Sequence, residues 1–343
     1  MVSQSRIKGI FYNSIIMLIS AIYSQNIFNT DEVSLVDIKK IITCSEWRNL
    51  ILLDACRYDV FKQVVEKLNI FPKHKMQPAI SYSSSTPEFV RKIILENKDI
   101  FRDVVYVSAN PMVDSSLRSL GVNPEDVFYK YIPAWRIAWN RFYNTVLPED
   151  LFLIALKTFI KYPSQKMVIH FIQPHFPYIS DKYMHINKLV YSDIMQALKR
   201  GFLHRRGAIN DDDTFVMFIR LAKLFLSCGA LSSILSHDFC KYVKKRNEEI
   251  LKAYVTNLLK VLPYAKRLSE ILPGKTIITS DHGEALGEFI HKYIPIRLWG
   301  HISRIKIPCL ILVPYIETFN NTPLHLSLKR ALREYVKHTL RRR

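Results

Sequence analysis

Glycine is scarce in this chain, at nine of 343 residues. With sixteen prolines spread among the rest, that excludes a collagen-like or low-complexity polymer. Cysteine is sparse as well. The five cysteines (Cys44, Cys56, Cys228, Cys240, Cys309) form no C-x-x-C pair and are odd in number. This argues against a disulfide framework and favours a reducing compartment. Long apolar runs are also missing. The best candidate, Ile10 to Ile22, follows Arg6 and Lys8 and holds Asn13 and Ser14. It falls short of the ~20 residues that span a bilayer. No small-x-small cleavage site follows it cleanly, so it reads as an amphipathic helix on the protein or on a membrane surface. The expected location is cytoplasmic or peripheral at a membrane.

Acid is the remaining shortage. Thirty Asp and Glu against 49 Lys and Arg leave a formal charge of +19. Such a field draws polyanions: nucleic acid, anionic lipid, phosphorylated or sulfated glycans, or a small phosphorylated substrate. A generally basic solvated surface accounts for the same number.

What is present is a globular composition, 49% hydrophobic with 18 tyrosines and 19 phenylalanines, which excludes wholesale disorder. The length suits two domains, or one large α/β domain with insertions. Asn49 to Leu53 is a continuous apolar run ending at Asp54, the pattern of a strand buried on both faces. Further strands are expected at Val104 to Val107, Met167 to Ile172, Lys275 to Thr279 and Ile307 to Val313. Helical spacing lies between them, at Asp59 to Leu68, Phe89 to Glu96, Leu151 to Lys161 and Glu248 to Leu272, the last kinked or split by Pro263. Strands alternating with helices predict a mainly parallel sheet covered on both faces, whose ligands bind at the carboxyl ends of the strands. Three parts are expected: an N-terminal helical segment (1–48), a catalytic domain (49–320) with a helical insertion over the site at about 179–247, and a basic C-terminal helix (321–343). The basic end of that helix suits its macrodipole and equally suits an anionic surface.

The chemistry-bearing residues sit just after the expected strands. Asp281 and His282 follow K-T-I-I-T-S and open S-D-H-G-E-A-L-G-E. A carboxylate and an imidazole side by side offer hard oxygen and borderline nitrogen, a set suited to divalent ions. Asp54 ends the first strand in L-L-D-A-C-R-Y-D; such an Asp also caps helices. Residues 81–88 read S-Y-S-S-S-T-P-E. A helix start with Thr86 as cap and Pro87 at its first position explains them. So does a hydroxyl nucleophile, Thr86 first with Ser85 and Ser84 behind it, activated by a metal. His170 and His175 fall in H-F-I-Q-P-H-F-P-Y, the first inside the strand, the second in a stiff loop beyond it. His301 closes W-G-H. His170 and Arg57 are candidates for substrate contact.

Taken in order, D-A-C-R-Y-D, S-S-S-T-P-E, H-F-x-Q-P-H-F-P-Y, S-D-H-G-E-x-L-G-E and W-G-H resemble the alkaline phosphatase and sulfatase superfamily, in its archaeal and bacterial sulfatase-like branch. The resemblance spans about Asn49 to Pro314 and includes Tyr254 and Asn257. It implies a three-layer α/β/α sandwich around a mostly parallel sheet. It also implies one or two divalent ions (Zn, Mn, Mg or Ca), with a spacing of about 3.5–4 Å if there are two. Asp54, Asp281 and His282 would hold one ion. His175 and His301 would touch a second ion or the transferred group. Thr86 would be the nucleophile, and Asn110 would meet a substrate oxygen.

The C-x-P-x-R or S-x-P-x-R signature of formylglycine sulfatases is absent from residues 81–90. The expected activity is therefore hydrolysis or transfer of phosphoric esters through a phospho-enzyme. Sulfuric ester hydrolysis is the alternative on the same fold, and a basic non-enzymatic binder of nucleic acid or membrane is the alternative from another class. The expected partners are an anionic substrate, phosphate or sulfate ester, glycan- or lipid-linked, and an anionic membrane surface. Nucleic acid is not expected.

Overall fold

The computed structural model describes residues 35–44, 46–71, 76–188, 237–291, 294–301, 303 and 306–341. The apolar stretch at Ile10 to Ile22 and most of the expected insertion lie outside them. Among the described residues no helix is long and apolar enough to cross a membrane.

Twelve strands are described: β1 (Val36–Asp37), β2 (Asn49–Leu53), β3 (Met76–Ile80), β4 (Val104–Ser108), β5 (Lys130–Pro133), β6 (Trp139–Asn140), β7 (Thr145–Val146), β8 (Lys166–Phe171), β9 (Gly274–Thr279), β10 (Ala285–His291), β11 (Ile294–Gly300) and β12 (Leu312–Asn320). Eight of them form one sheet in the order β1-β3-β12-β9-β2-β8-β4-β5. Every pairing in it is parallel except those of β12 with β3 and β9. β10 with β11 and β6 with β7 make two separate antiparallel hairpins.

The sheet is buried on both faces, and β2 shows why its sequence is apolar without alternation. Ile51 and Leu53 join one core with Val105, Val107, Ile169 and Ile278. Leu50 and Leu52 join the other with Val104, Tyr106, Val168 and Ile277. Successive side chains of a strand point to opposite faces, so each residue fills one of two cores. The first core is covered by helices α2 (Tyr58–Leu68), α5 (Pro148–Lys161), α6 (His237–Ile271) and α7 (Leu324–Leu340). The second is covered by α1 (Ile38–Cys44), by α3 (Thr86–Phe89) with the π-turn Val90–Ile94 that continues it, and by α4 (Pro111–Ser119). This is the α/β/α sandwich that the sequence predicts.

Three local expectations need correction. The run Ile307 to Val313 is not one strand. Pro308 lacks an N–H and opens a helical turn, Pro308–Ile311, in which the N–H groups of Leu310 and Ile311 donate to the Ile307 carbonyl. The strand starts only at Leu312 and runs antiparallel. α6 passes unbroken through Pro263. Val261, Leu262, Ala265 and Leu268 around it are fully buried, and their burial outweighs a proline penalty of about 3 kcal/mol. In α3 the cap is Ser85, and Thr86 is already helical.

α6 also fixes the loops that leave the sheet. Tyr254 Oη donates to the Ala55 carbonyl (2.6 Å) and accepts from the Arg57 N–H (3.0 Å). That clamps the turn after β2, where Ala55 adopts a left-handed φ of 56°. One turn later, Asn257 Nδ2 faces the carbonyls of His175 (2.9 Å) and Pro177 (2.9 Å), and its Oδ1 accepts from the Ile179 N–H (2.8 Å). Asn257→Ala strands these buried groups. We expect it to cost about 1–3 kcal/mol in urea unfolding, with Asn257→Asp costing more than a surface Asn→Asp control.

Candidate active site and metal centre

Five parallel or crossover segments bring polar residues to one edge of the sheet, beyond the carboxyl ends of β2, β3, β4, β8 and β9. Asp54 follows β2, Thr86 follows β3, Asn110 follows β4, His175 follows β8, and Asp281 and His282 follow β9. His301 arrives from the end of β11.

Asp54, Asp281 and His282 converge with ligand atoms within 4.8 Å of one another, all buried. His282 Nε2 lies 3.3 Å from Asp54 Oδ1 and 3.5 Å from Asp281 Oδ2. Its Nδ1 faces the Gly283 carbonyl at 2.7 Å. A carbonyl only accepts, so Nδ1 carries a proton and Nε2 is aimed at the carboxylates. The peptide behind is packed without slack. Gly283 N–H donates to the Leu310 carbonyl (2.7 Å), and a Cβ at Gly283 would stand 2.1 Å from the Cys309 carbonyl oxygen. Only glycine fits between the acid-histidine pair and the turn that precedes β12.

A second cluster adjoins the first. His175, Glu284 and His301 also place one ligand atom each within 4.8 Å. Glu284 lies 3.7 Å from His175 Nε2 and 3.1 Å from His301 Nδ1. The His301 ring lies 4.3 Å from that of His282, centre to centre. His175 Nδ1 faces the Phe176 carbonyl, which leaves Nε2 for the cluster. Glu284 was not singled out by the sequence. Its signal was its place two residues after His282 inside D-H-G-E, hidden because an exposed loop glutamate has the same appearance.

Of the three candidate hydroxyls, one reaches the carboxylates. Thr86 Oγ1 donates to Asp281 Oδ2 at 2.8 Å and lies 3.4 Å from both Asp54 Oδ1 and His282 Nε2. Ser85 Oγ pairs with Ser303 Oγ (2.6 Å), and Ser84 Oγ donates to Glu88 (3.0 Å). Asn110 Nδ2 points at Asp54 Oδ2 (2.6 Å) and Thr86 Oγ1 (3.2 Å). Its Oδ1 caps α4 by accepting the Met112 N–H at 2.8 Å.

His170 and Arg57 are placed differently. His170 is fully buried under the first cluster. Its Nδ1 meets Tyr106 Oη at 2.9 Å, and its Nε2 lies 3.7 Å from Asp281 Oδ2. That Nε2 makes no hydrogen bond. Arg57 is engaged with Asp59 (2.7 Å), with Glu288, and with the Glu284 carbonyl (3.0 Å). It ties the turn after β2 to the hairpin β10–β11.

The electrostatics explain what the clusters need. Burial, and then the charge of Asp281, push the Asp54 carboxyl above its ordinary range. At Asp281 burial pulls the same way, but the neighbouring His282 and His170 outweigh it and hold the group low. At His282 burial favours the neutral ring, yet Asp281 and Asp54 more than offset it and raise its pKa to about 10. Without another cation, a proton on His282 compensates the two carboxylates. In the second cluster burial lowers His175 to about 4 against the pull of Glu284, and it lowers His301 far below its usual value. These rings are neutral at pH 7, the form that donates to a metal. Two carboxylates with one imidazole, and one carboxylate with two, suit divalent ions of the Zn or Mn type.

No family model matches the chain. No curated protein matches it. Solved structures do resemble it. The C-terminal periplasmic domain of EcEptC from Escherichia coli aligns at 11% identity and a TM-score of 0.43, covering 83% of this chain and 76% of that one. The same domain in complex with Zn aligns at 9% and 0.36, over 83% and 76%. A protein in the alkaline phosphatase superfamily from Vibrio parahaemolyticus aligns at 11% and 0.36, over 91% and 70%.

Proposed function

We propose that this chain is a metal-dependent enzyme that hydrolyses or transfers phosphoric esters, with Thr86 as its nucleophile. The observation that carries the reading is the position of Thr86 Oγ1, the one hydroxyl of residues 84–86 set against Asp281, Asp54, His282 and Asn110.

Asp54, Asp281 and His282 would hold one divalent ion, and His175, Glu284 and His301 a second. Such ions, when bound, polarise phosphoryl oxygens and favour the alkoxide form of a nearby hydroxyl. The protein's own groups supply the rest. Asp281 Oδ2 accepts the hydrogen bond of the Thr86 hydroxyl, and Asn110 Nδ2 fixes the direction of the Thr86 oxygen. In the first half-reaction the bond from Oγ1 to phosphorus forms as the ester P–O bond breaks, and the displaced alcohol leaves with a proton. In the second, the oxygen of water or of an acceptor alcohol bonds to phosphorus, the Thr86 bond breaks, and the hydroxyl is restored. Burial of the clusters strengthens every one of these electrostatic contacts.

Phosphorus is favoured over sulfur by the nucleophile itself. Formylglycine chemistry needs an aldehyde made from Cys or Ser. The methyl on threonine Cβ prevents oxidation to an aldehyde, so Thr86 acts as a hydroxyl. A sulfo-threonine would be released slowly, whereas a phospho-threonine is open to attack at phosphorus.

Thr86→Ala is expected to lower turnover of an aryl phosphate diester or monoester on the order of a thousandfold or more, with metal content unchanged. Thr86→Ser keeps a measurable fraction. Turnover of an aryl sulfate above that of both phosphates would reverse the choice of substrate class. Asp281→Asn is expected to remove stoichiometric metal, read by elemental analysis of the purified protein, and to abolish turnover. Metal retained in that variant would take Asp281 out of the ligand set.

A further inference from the structure

We infer that α7 is a docking helix for an anionic lipid bilayer. The inference is independent of the proposed catalysis. α7 lies against the first core by one side only. Ser327 and Ala331 are buried, and Leu328 and Tyr335 pack on the same core. Away from that contact Leu332, Val336 and Leu340 are exposed by 52%, 45% and 63%. They recur every four residues, so they form one stripe along the helix. Lys329, Arg333 and Lys337, also exposed and also four apart, form the adjacent stripe. Arg330 and Arg341 extend the cationic surface. Glu334, the single acid of the helix, faces inward and pairs with Arg267 of α6 at 2.7 Å. The outward face therefore combines apolar area with positive charge and no negative charge.

That combination selects its partner. A protein interface of this size would need apolar area without such a charge density at its centre. A nucleic acid would use the cations but leave three aliphatic side chains in water. An anionic bilayer uses both, with aliphatic side chains entering the headgroup boundary and Lys and Arg meeting lipid phosphates.

The topology gives the surface a consequence for the site. Asn320, at the end of β12, pairs with Gly274 at the start of β9. α7 thus begins at the amino edge of the parallel strands. His338, near its other end, meets Glu149 in the first turn of α5 at 3.2 Å. That turn follows β7, whose Val146 carbonyl accepts from Gln173 just beyond β8 (3.1 Å). The last turn of α7 therefore reaches the same edge of the sheet as the candidate active site. Docking by α7 lays this flank of the sandwich along the lipid surface, with the last turn of the helix at that edge.

The test is co-sedimentation of the full chain with phosphatidylcholine vesicles, with and without phosphatidylglycerol, across a salt series. We expect binding to the phosphatidylglycerol vesicles that weakens as salt rises. A charge variant, Lys329→Gln with Arg333→Gln and Lys337→Gln, should lower the partition coefficient on the order of a hundredfold. An apolar variant, Leu332→Ser with Val336→Ser and Leu340→Ser, should lower it about tenfold or more. Both should keep the parent's thermal unfolding midpoint, since the substituted side chains lie outside the core. The inference is overturned by absence of binding, or by binding that neither variant alters, which assigns it to another segment. It is equally overturned by a concentration-dependent dimer that the apolar variant dissolves, or by tighter binding to a DNA duplex than to the vesicles.

Discussion

Two carboxylates, Asp54 and Asp281, are buried at adjacent strand ends with their oxygens around one imidazole. Like charges held this way in a low-dielectric edge repel unless a cation lies among them. Much of the surrounding structure answers that constraint. His282 is pinned through Nδ1 so that its other nitrogen meets both acids. Ala55 donates its N–H to Asp281, Asn110 donates to Asp54, and Thr86 donates to Asp281. The Thr86 hydroxyl is one of the donors that these acids gather, so the same contacts that hold the cluster together also fix the hydroxyl proposed to react.

The scaffold supplies rigidity from a distance. Parallel strands end in register at one edge, and a helix on the covering layer reaches over to clamp the loops that leave it. Tyr254 and Asn257, one helical turn apart on α6, hold the turns after β2 and β8. Gly283 lets the peptide after the acid-histidine pair press against the turn at Cys309 and Leu310. Arg57, bonded to Glu288 and to the Glu284 carbonyl, couples the first strand's turn to the hairpin that delivers His301. Each of these contacts joins segments far apart in sequence, so the geometry of the two clusters depends on complete folding of the sheet.

Much of this was legible in the chain. Buried parallel strands read as continuous apolar runs because both faces are covered, and NLILL and KTIIT identified β2 and β9 for that reason. Acids placed directly after such runs marked the edge where the two clusters form. The short edge strands β1 and β5 were not visible, because two to four residues carry no measurable period. The division of residues 307–320 between a turn and an antiparallel strand was also hidden. Pro308 had the local vote there, and pairing with β3 and β9 decided the strand. At Pro263 the balance fell the other way, with tertiary burial overriding a helix-breaking residue.

The sequence by itself determined the fold class and singled out five of the six residues of the two clusters, because burial on two faces and the chemistry of carboxylate and imidazole are written in residue type and order. It ranked Thr86 ahead of Ser85 and Ser84 but could not show which of the three hydroxyls reaches the buried carboxylates, since they share one short segment and one functional group. It also gave no role to Glu284, or to the carbonyl contacts that aim His175 and His282. The tertiary structure decided these, because each depends on distances of about 3 Å between segments that the chain separates by tens to hundreds of residues.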